Sequence, residues 1–132
     1  MFEEILQLNT NFASIVRFAS KKHAITLSQT LILFHISRQG ISMSRLAQQL
    51  GLDPSTMTRN VEKLEKRNLL YRERSIDDTR MIYVYKSSQG FKISTDIESQ
   101  VEHILIKSAK DGLNVQNAIQ TMNWNLEKAK LL

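Results

Sequence analysis

The stretch Leu52–Asn68, LDPSTMTRNVEKLEKRN, leaves little choice but one short amphipathic helix with fixed ends. Asp53 is an N-cap residue, and Pro54 stands at the first helical position, where a missing N–H costs nothing. Met57, Val61 and Leu64 fall at i, i+4 and i+7 and form one apolar stripe. At about 100° per residue, the opposite side holds Ser55, Arg59, Glu62 and Lys66, flanked by Thr56 and Lys63. Asn68 stands where the chain must turn out of the helix, and asparagine tolerates the left-handed conformation second only to glycine. Such a helix buries one face and offers a polar, cationic one.

The flanking segments read as its supports. In TLSQTLILFHISRQG, Thr26 with Gln29 makes a capping box, Leu27, Leu31, Phe34 and Ile36 give a broadly apolar helix, and Gly40 ends it. In ISMSRLAQQLG, Ser42 caps a short helix, Leu46, Ala47 and Leu50 turn inward, and Gly51 stops it; Ile41 can add a short strand. LLYRERS and MIYVYKS alternate like two strands of a hairpin around a charged tip. Ser87 or Ser88 then caps a helix carrying Phe91, Ile97, Val101, Ile104 and Leu105. Asp111-Gly112 breaks it, and a last helix is expected from about Val115, with Ile119, Met122, Leu126 and Ala129 on one face. At the other end, residues 3–21 carry Ile5, Leu8, Phe12, Ile15 and Ala19 at alternating steps of three and four. That stripe serves either the chain's own core or a seam with a second subunit.

Composition narrows the function classes. At 132 residues the chain is expected to be one domain, and no apolar run is long enough to span a membrane. MFEEILQLNT has acids where an export signal needs bases, so a cytoplasmic location is expected. The lack of cysteine removes disulfides, thiolate zinc sites and thiol redox switches. His23, His35 and His103 are scattered, with no HExxH motif and no glycine-rich phosphate loop, so neither an enzyme nor a cofactor is expected. Net charge is +5, and residues 38–86 hold ten basic against six acidic side chains. The charge excess therefore sits on the helix pair and hairpin, which fits a solvated surface and an anion-binding face equally.

MSRLAQQLGLDPSTMTRNVEKLEKRNLL has the form of a helix-turn-helix joined at Gly51-Leu52-Asp53. Followed by YRERSIDDTRMIYVY, with Asp78-Thr79-Arg80 at the hairpin tip, it resembles the winged helix-turn-helix of the MarR (multiple antibiotic resistance regulator) family. The resemblance is close over residues 25–95 and extends to the flanking helices in type and order. It implies a mainly α fold with a small β-hairpin wing: a winged helix-turn-helix lobe at 25–90, flanked by helical dimerisation regions at 1–24 and 91–132. It implies a homodimeric regulator of transcription, more often a repressor, on a pseudo-palindromic double-stranded DNA site. Small-molecule effectors in this family often sit between dimer helices and DNA-binding lobe, here near His23, Phe34 or His35. The DNA-binding residues expected are Ser55, Thr56, Thr58, Arg59 and Lys63 on the second helix, and Arg72, Arg74 and Arg80 on the wing. Arg59 suits guanine, Lys63 a phosphate and Arg80 a narrow minor groove. Asp78 is expected to steady the wing by pairing with Arg72 or Arg74. The chain departs from the family pattern at Asn68, where glycine is usual, at Lys86, where an apolar residue is usual, and in its short last helices. Lys86 is expected to shorten the second wing strand. Two other readings stay open: a winged helix that binds only proteins, and a metal-sensing regulator using the histidines.

Overall fold

A computed structural model describes residues 1–129. Its elements are α1 (Phe2–Lys21), α2 (Leu27–His35), β1 (Ile41–Ser42), α3 (Met43–Leu50), α4 (Pro54–Lys66), β2 (Leu70–Arg74), β3 (Ile82–Lys86), α5 (Ser88–Ser108) and α6 (Gly112–Ala129). The caps stand where local chemistry puts them. Thr26 and Gln29 form the reciprocal capping box of α2. Ser42 accepts from Arg45 N–H, Asp53 from Thr56 N–H, and Ser87 from Gly90 N–H. Gly51 ends α3 at φ +63°, and Asn68 turns the chain out of α4 at φ +59°.

The three strands form one antiparallel sheet in the order β1-β3-β2. β3 is central, with Val84 opposite Ile41 on one side and Arg72 on the other. α4 packs on α2, α3 and β2. Its Met57, Val61 and Leu64 are buried with Ile32, Leu33, Leu46, Leu69, Leu70 and Val84, each such side chain contributing roughly 1.5–3 kcal/mol. One side of α4 is therefore sealed, and its opposite side faces out.

Several expectations need correction. α2 stops at His35, before Gly40, and buries Ile32 and Leu33, with Ile36 buried just past its end, while Phe34 is 37% exposed. In a nine-residue helix with four consecutive apolar residues, Leu31–Phe34, periodicity cannot choose the buried face. β3 is not shortened: Lys86 pairs with Leu70. Its stem is half-buried and its ammonium lies 4.8 Å from the Phe91 ring centroid, so it serves as an apolar residue with a charged end. Burial lowers its pKa, with Glu98 opposing the shift. α6 begins at Gly112, three residues before Val115, with the Asp111 side chain accepting from Asn114.

The α1 stripe splits. Ala19 is buried and Ile15 packs against the core, whereas Ile5, Leu8 and Phe12 stay exposed. α6 buries none of its described residues; Ile119, Met122, Trp124 and Leu126 are all exposed. Leu131 and Leu132, which the expected last helix included, lie outside the described residues.

Where α1, α2 and α5 meet, two buried hydroxyls share too few protons. Ser20 Oγ lies 2.6 Å from Val16 O and 2.7 Å from Thr30 Oγ1, which itself lies 2.9 Å from Thr26 O. Two protons serve three contacts, and either hydroxyl can be the donor between Ser20 and Thr30.

Candidate nucleic-acid interface

The outward face of α4 begins at its cap. Asp53 Oδ1 accepts Thr56 N–H at 2.9 Å and the Ser55 hydroxyl at 2.5 Å; Oδ2 accepts the Thr56 hydroxyl at 2.6 Å. These donors, Ser55 first, hold the Asp53 carboxyl well below the usual carboxylate range. Ser55 is exposed and Thr56 and Thr58 are half-buried. Pro54, Ser55, Thr58, Arg59 and Glu62 line one shallow concavity. Arg59 and Lys63 are exposed, and neither joins an ion pair among the described residues. With Lys66, also exposed and in no ion pair among the described residues, the helix presents three unengaged cations on the side away from its core stripe.

The three wing arginines are not equivalent. Arg72 is half-buried and turns back to α4: its Nη2 donates to Glu65 Oε1 at 2.9 Å and its Nε to Oε2 at 3.4 Å, while its backbone N–H donates to Oε2 at 3.2 Å. This pair lowers the Glu65 pKa and raises that of Arg72. Arg72 is a brace between wing and helix. Arg74 Nη1 donates to Thr79 O at 2.5 Å across the tip.

The expected pairing of Asp78 with Arg72 or Arg74 is not what forms. Asp78 Oδ1 accepts both the backbone N–H of Arg80, at 3.0 Å, and its Nε, at 3.1 Å; Oδ2 accepts Nη2 at 3.3 Å. A residue two positions away in a tight turn is reached at little entropic cost, whereas Arg72 is already held by Glu65. Arg80 lowers the Asp78 pKa, first through its side chain and then through its backbone N–H. The turn is closed by Met81 N–H to Asp78 O and Ser75 N–H to Met81 O. Asp78 so orders the tip and stands beside the guanidinium of Arg80, whose side chain is 87% exposed. Asp77 is exposed at the same tip.

Sequence reasoning missed Glu65, which stands only seven residues from Arg72 but gives no local signal as its partner. It also missed a polar junction at the far end of α4. Arg67 donates to the carbonyls of His23 (2.7 Å) and Ala24 (2.8 Å), with Ala24 itself in the left-handed conformation at φ +54°. Asp96 accepts from Lys22 at 2.9 Å and pairs with His23 at 2.6 Å. Lys22, His23, Arg67, Gln89 and Lys92 line a concavity here, His35 lines a different one, and Phe34 lines neither. His35 Nδ1 lies 2.7 Å from Leu31 O, and among the described residues no three side chains converge as a metal site. None of the described helices is long and apolar enough to cross a membrane.

Comparison with known proteins agrees with this arrangement. The MarR family model matches residues 24–81. An uncharacterised HTH-type transcriptional regulator of Bacillus subtilis (strain 168), YhbI, is 32% identical over 98 residues, or 74% of this chain. The match covers 59% of the B. subtilis protein, so this chain spans about three-fifths of that relative's length. A MarR transcriptional regulator from Methanosarcina mazei Go1 superposes with a TM-score of 0.80 at 24% identity, covering 96% of each chain. A mutant of S. aureus MepR bound to an oligodeoxyribonucleotide gives 0.66 at 18% identity, covering 100% of this chain and 99% of that one. At these identities the two structures speak for the fold. Residues 24–81 match the MarR family, and the chain has the winged helix-turn-helix fold of its solved regulators.

Proposed function

We propose that the chain is a sequence-specific DNA-binding repressor that acts as a homodimer. The observation that carries this reading is the outer face of α4, where Arg59 and Lys63 stand exposed and, among the described residues, outside any ion pair, on a helix whose other face is locked in the core. Set in a major groove, Arg59 would donate to guanine O6 and N7, Ser55 and Thr56 would meet neighbouring base edges, and Thr58 a base edge or a phosphate. Lys63 would neutralise a phosphate. On the wing, Arg80 would reach the adjacent minor groove and Arg74 the backbone beside it; Arg72, tied to Glu65, is assigned to bracing instead. The S. aureus relative caught on an oligodeoxyribonucleotide supports the choice of partner.

Dimerisation follows from the apolar surface left at the two ends of the chain: Phe2, Ile5, Leu6, Leu8 and Phe12 on α1, and Leu113, Ile119, Met122, Trp124 and Leu126 on α6. A two-fold dimer would hold its α4 helices about one DNA turn apart, roughly 34–36 Å, and would prefer a pseudo-palindrome. A small-molecule effector that relieved binding would fit the concavity at the α1–α2 turn, whose cations suit an anionic ligand. The lobe at 25–90 is assigned to DNA and the helices at 1–24 and beyond 91 to pairing.

The test is selection of bound sequences from a random duplex library, followed by titration of the selected site. Arg59→Ala should cost about 1–3 kcal/mol per half-site and relax preference at one position. Lys63→Ala should weaken all sequences alike and reduce the log–log salt slope by about one unit. Sedimentation at micromolar protein should give the dimer. Failure to bind any duplex at about 50 mM salt overturns the reading, since non-specific phosphate binding is strongest there. Repression is checked by loss of transcription from a promoter that overlaps the selected site.

A further inference from the structure

The first turn of α4 has lost its hydroxyl donors. Each hydroxyl has one proton and two acceptor lone pairs. The Ser55 proton is committed to Asp53 Oδ1 and the Thr56 proton to Oδ2. These are bonds to a carboxylate, about twice as strong as bonds between neutral groups. Asp53 also fills the place that a helix N-terminus otherwise offers to phosphate, and its charge repels one. What the Ser55 and Thr56 hydroxyls have left to offer is acceptor lone pairs without a donor. One turn on, Arg59 is the reverse, all donors.

In a major groove, every base pair carries one exocyclic amine, adenine N6 or cytosine N4, and one keto oxygen, thymine O4 or guanine O6. An acceptor patch cannot distinguish A·T from G·C. It distinguishes which strand holds the amine. We infer that Ser55 and Thr56, with their protons held by Asp53, select adenine or cytosine over guanine or thymine on one strand of each half-site. Asp53 is the positioning residue. Ser55 and Arg59 lie four residues apart on one face, so the position lies within one or two base pairs of the guanine bonded by Arg59. The inference rests on the DNA-binding reading above and adds a two-fold degenerate position to it.

The experiment is the same library selection carried out with wild type, Ser55→Ala, Thr56→Val and Asp53→Asn, followed by anisotropy titrations on duplexes carrying each of the four bases at the position. Wild type should bind the adenine and cytosine duplexes about equally and the guanine and thymine duplexes about fivefold more weakly, as one neutral hydrogen bond requires. Ser55→Ala and Thr56→Val together should abolish that preference and keep the neighbouring guanine. Asp53→Asn retains a cap acceptor for Thr56 N–H but replaces the second oxygen with an amide donor, so one hydroxyl proton is released. Its preference should move toward guanine and thymine. A guanine that depends on Arg59 with no amine-selective position beside it overturns the inference alone, as does a preference that survives in the double variant. Binding to no duplex at all overturns the inference together with the function it rests on. In the free protein, removing either hydroxyl should raise the Asp53 pKa, read from its carboxyl carbon by NMR; an unchanged value also overturns the assignment.

Discussion

Replacing Gly90 by alanine sets two effects of opposite sign against each other. Gly90 lies in the first turn of α5, and inside a helix glycine costs roughly 1 kcal/mol relative to alanine, so propensity alone predicts a gain. The surroundings predict a loss. A Cβ there would lie 2.0 Å from the Leu69 carbonyl oxygen and 3.0 Å from its carbon, where an ordinary contact is 3.4–4 Å. That neighbour is backbone and cannot rotate away. The Leu69 carbonyl also accepts Ser87 N–H at 3.1 Å, while Ser87 Oγ donates to Asn68 O at 2.5 Å and accepts Gly90 N–H at 3.0 Å. Forcing α5 off the base of the wing weakens all three bonds, at about 1 kcal/mol each. Against the propensity gain, the net loss is about 2 kcal/mol. Gly112→Ala is the control, since a Cβ there meets nothing within 4 Å, and it should gain up to about 1 kcal/mol. Urea unfolding followed by circular dichroism reads both, at one fixed protomer concentration because self-association would move the midpoints. A Gly90→Ala chain as stable as wild type would refute the reasoning.

Three other substitutions probe the charged groups. Glu65→Gln should cost about 1 kcal/mol after solvent screening and speed amide exchange along β2, because Arg72 loses its bidentate partner; unchanged exchange would mean the pair does not brace the wing. Asp96 has its pKa lowered by Lys22 first and His23 next, so its contribution is present above the unfolded value near pH 4 and is lost as pH falls through the folded one. Asp96→Asn should be less stable than wild type at pH 7, with the gap closing below about pH 4; a constant gap would contradict this. Arg80→Ala should weaken DNA binding most where the flank is A·T-rich and narrow, and Arg80→Lys should recover only part, with folding unchanged. Equal binding of wild type and Arg80→Ala on A·T-rich and G·C-rich flanks would reduce the tip to a turn.

Much of the fold was legible because caps and periodicity are properties of a few consecutive residues. Thr26, Ser42, Asp53 and Asn68 act within a turn of themselves, and all four stand where the sequence put them. The stripe Met57-Val61-Leu64 declared the buried face of α4, and with it the outward face that carries Arg59 and Lys63. The order of helices and the hairpin were readable on the same grounds, and the winged helix-turn-helix they form was implied by the family resemblance. The partners of the charges were not. Arg72 meets Glu65 rather than Asp78 only because the turn at Asn68 folds β2 back along α4, and His23 meets Asp96 across 73 residues. Which face of α2 is buried, and whether Lys86 ends a strand or lies along it, depend on what α4 and α5 bring beside them. An ion pair or a buried face is settled by which backbones the fold carries to within a few ångströms, and no window of neighbouring residues holds that information.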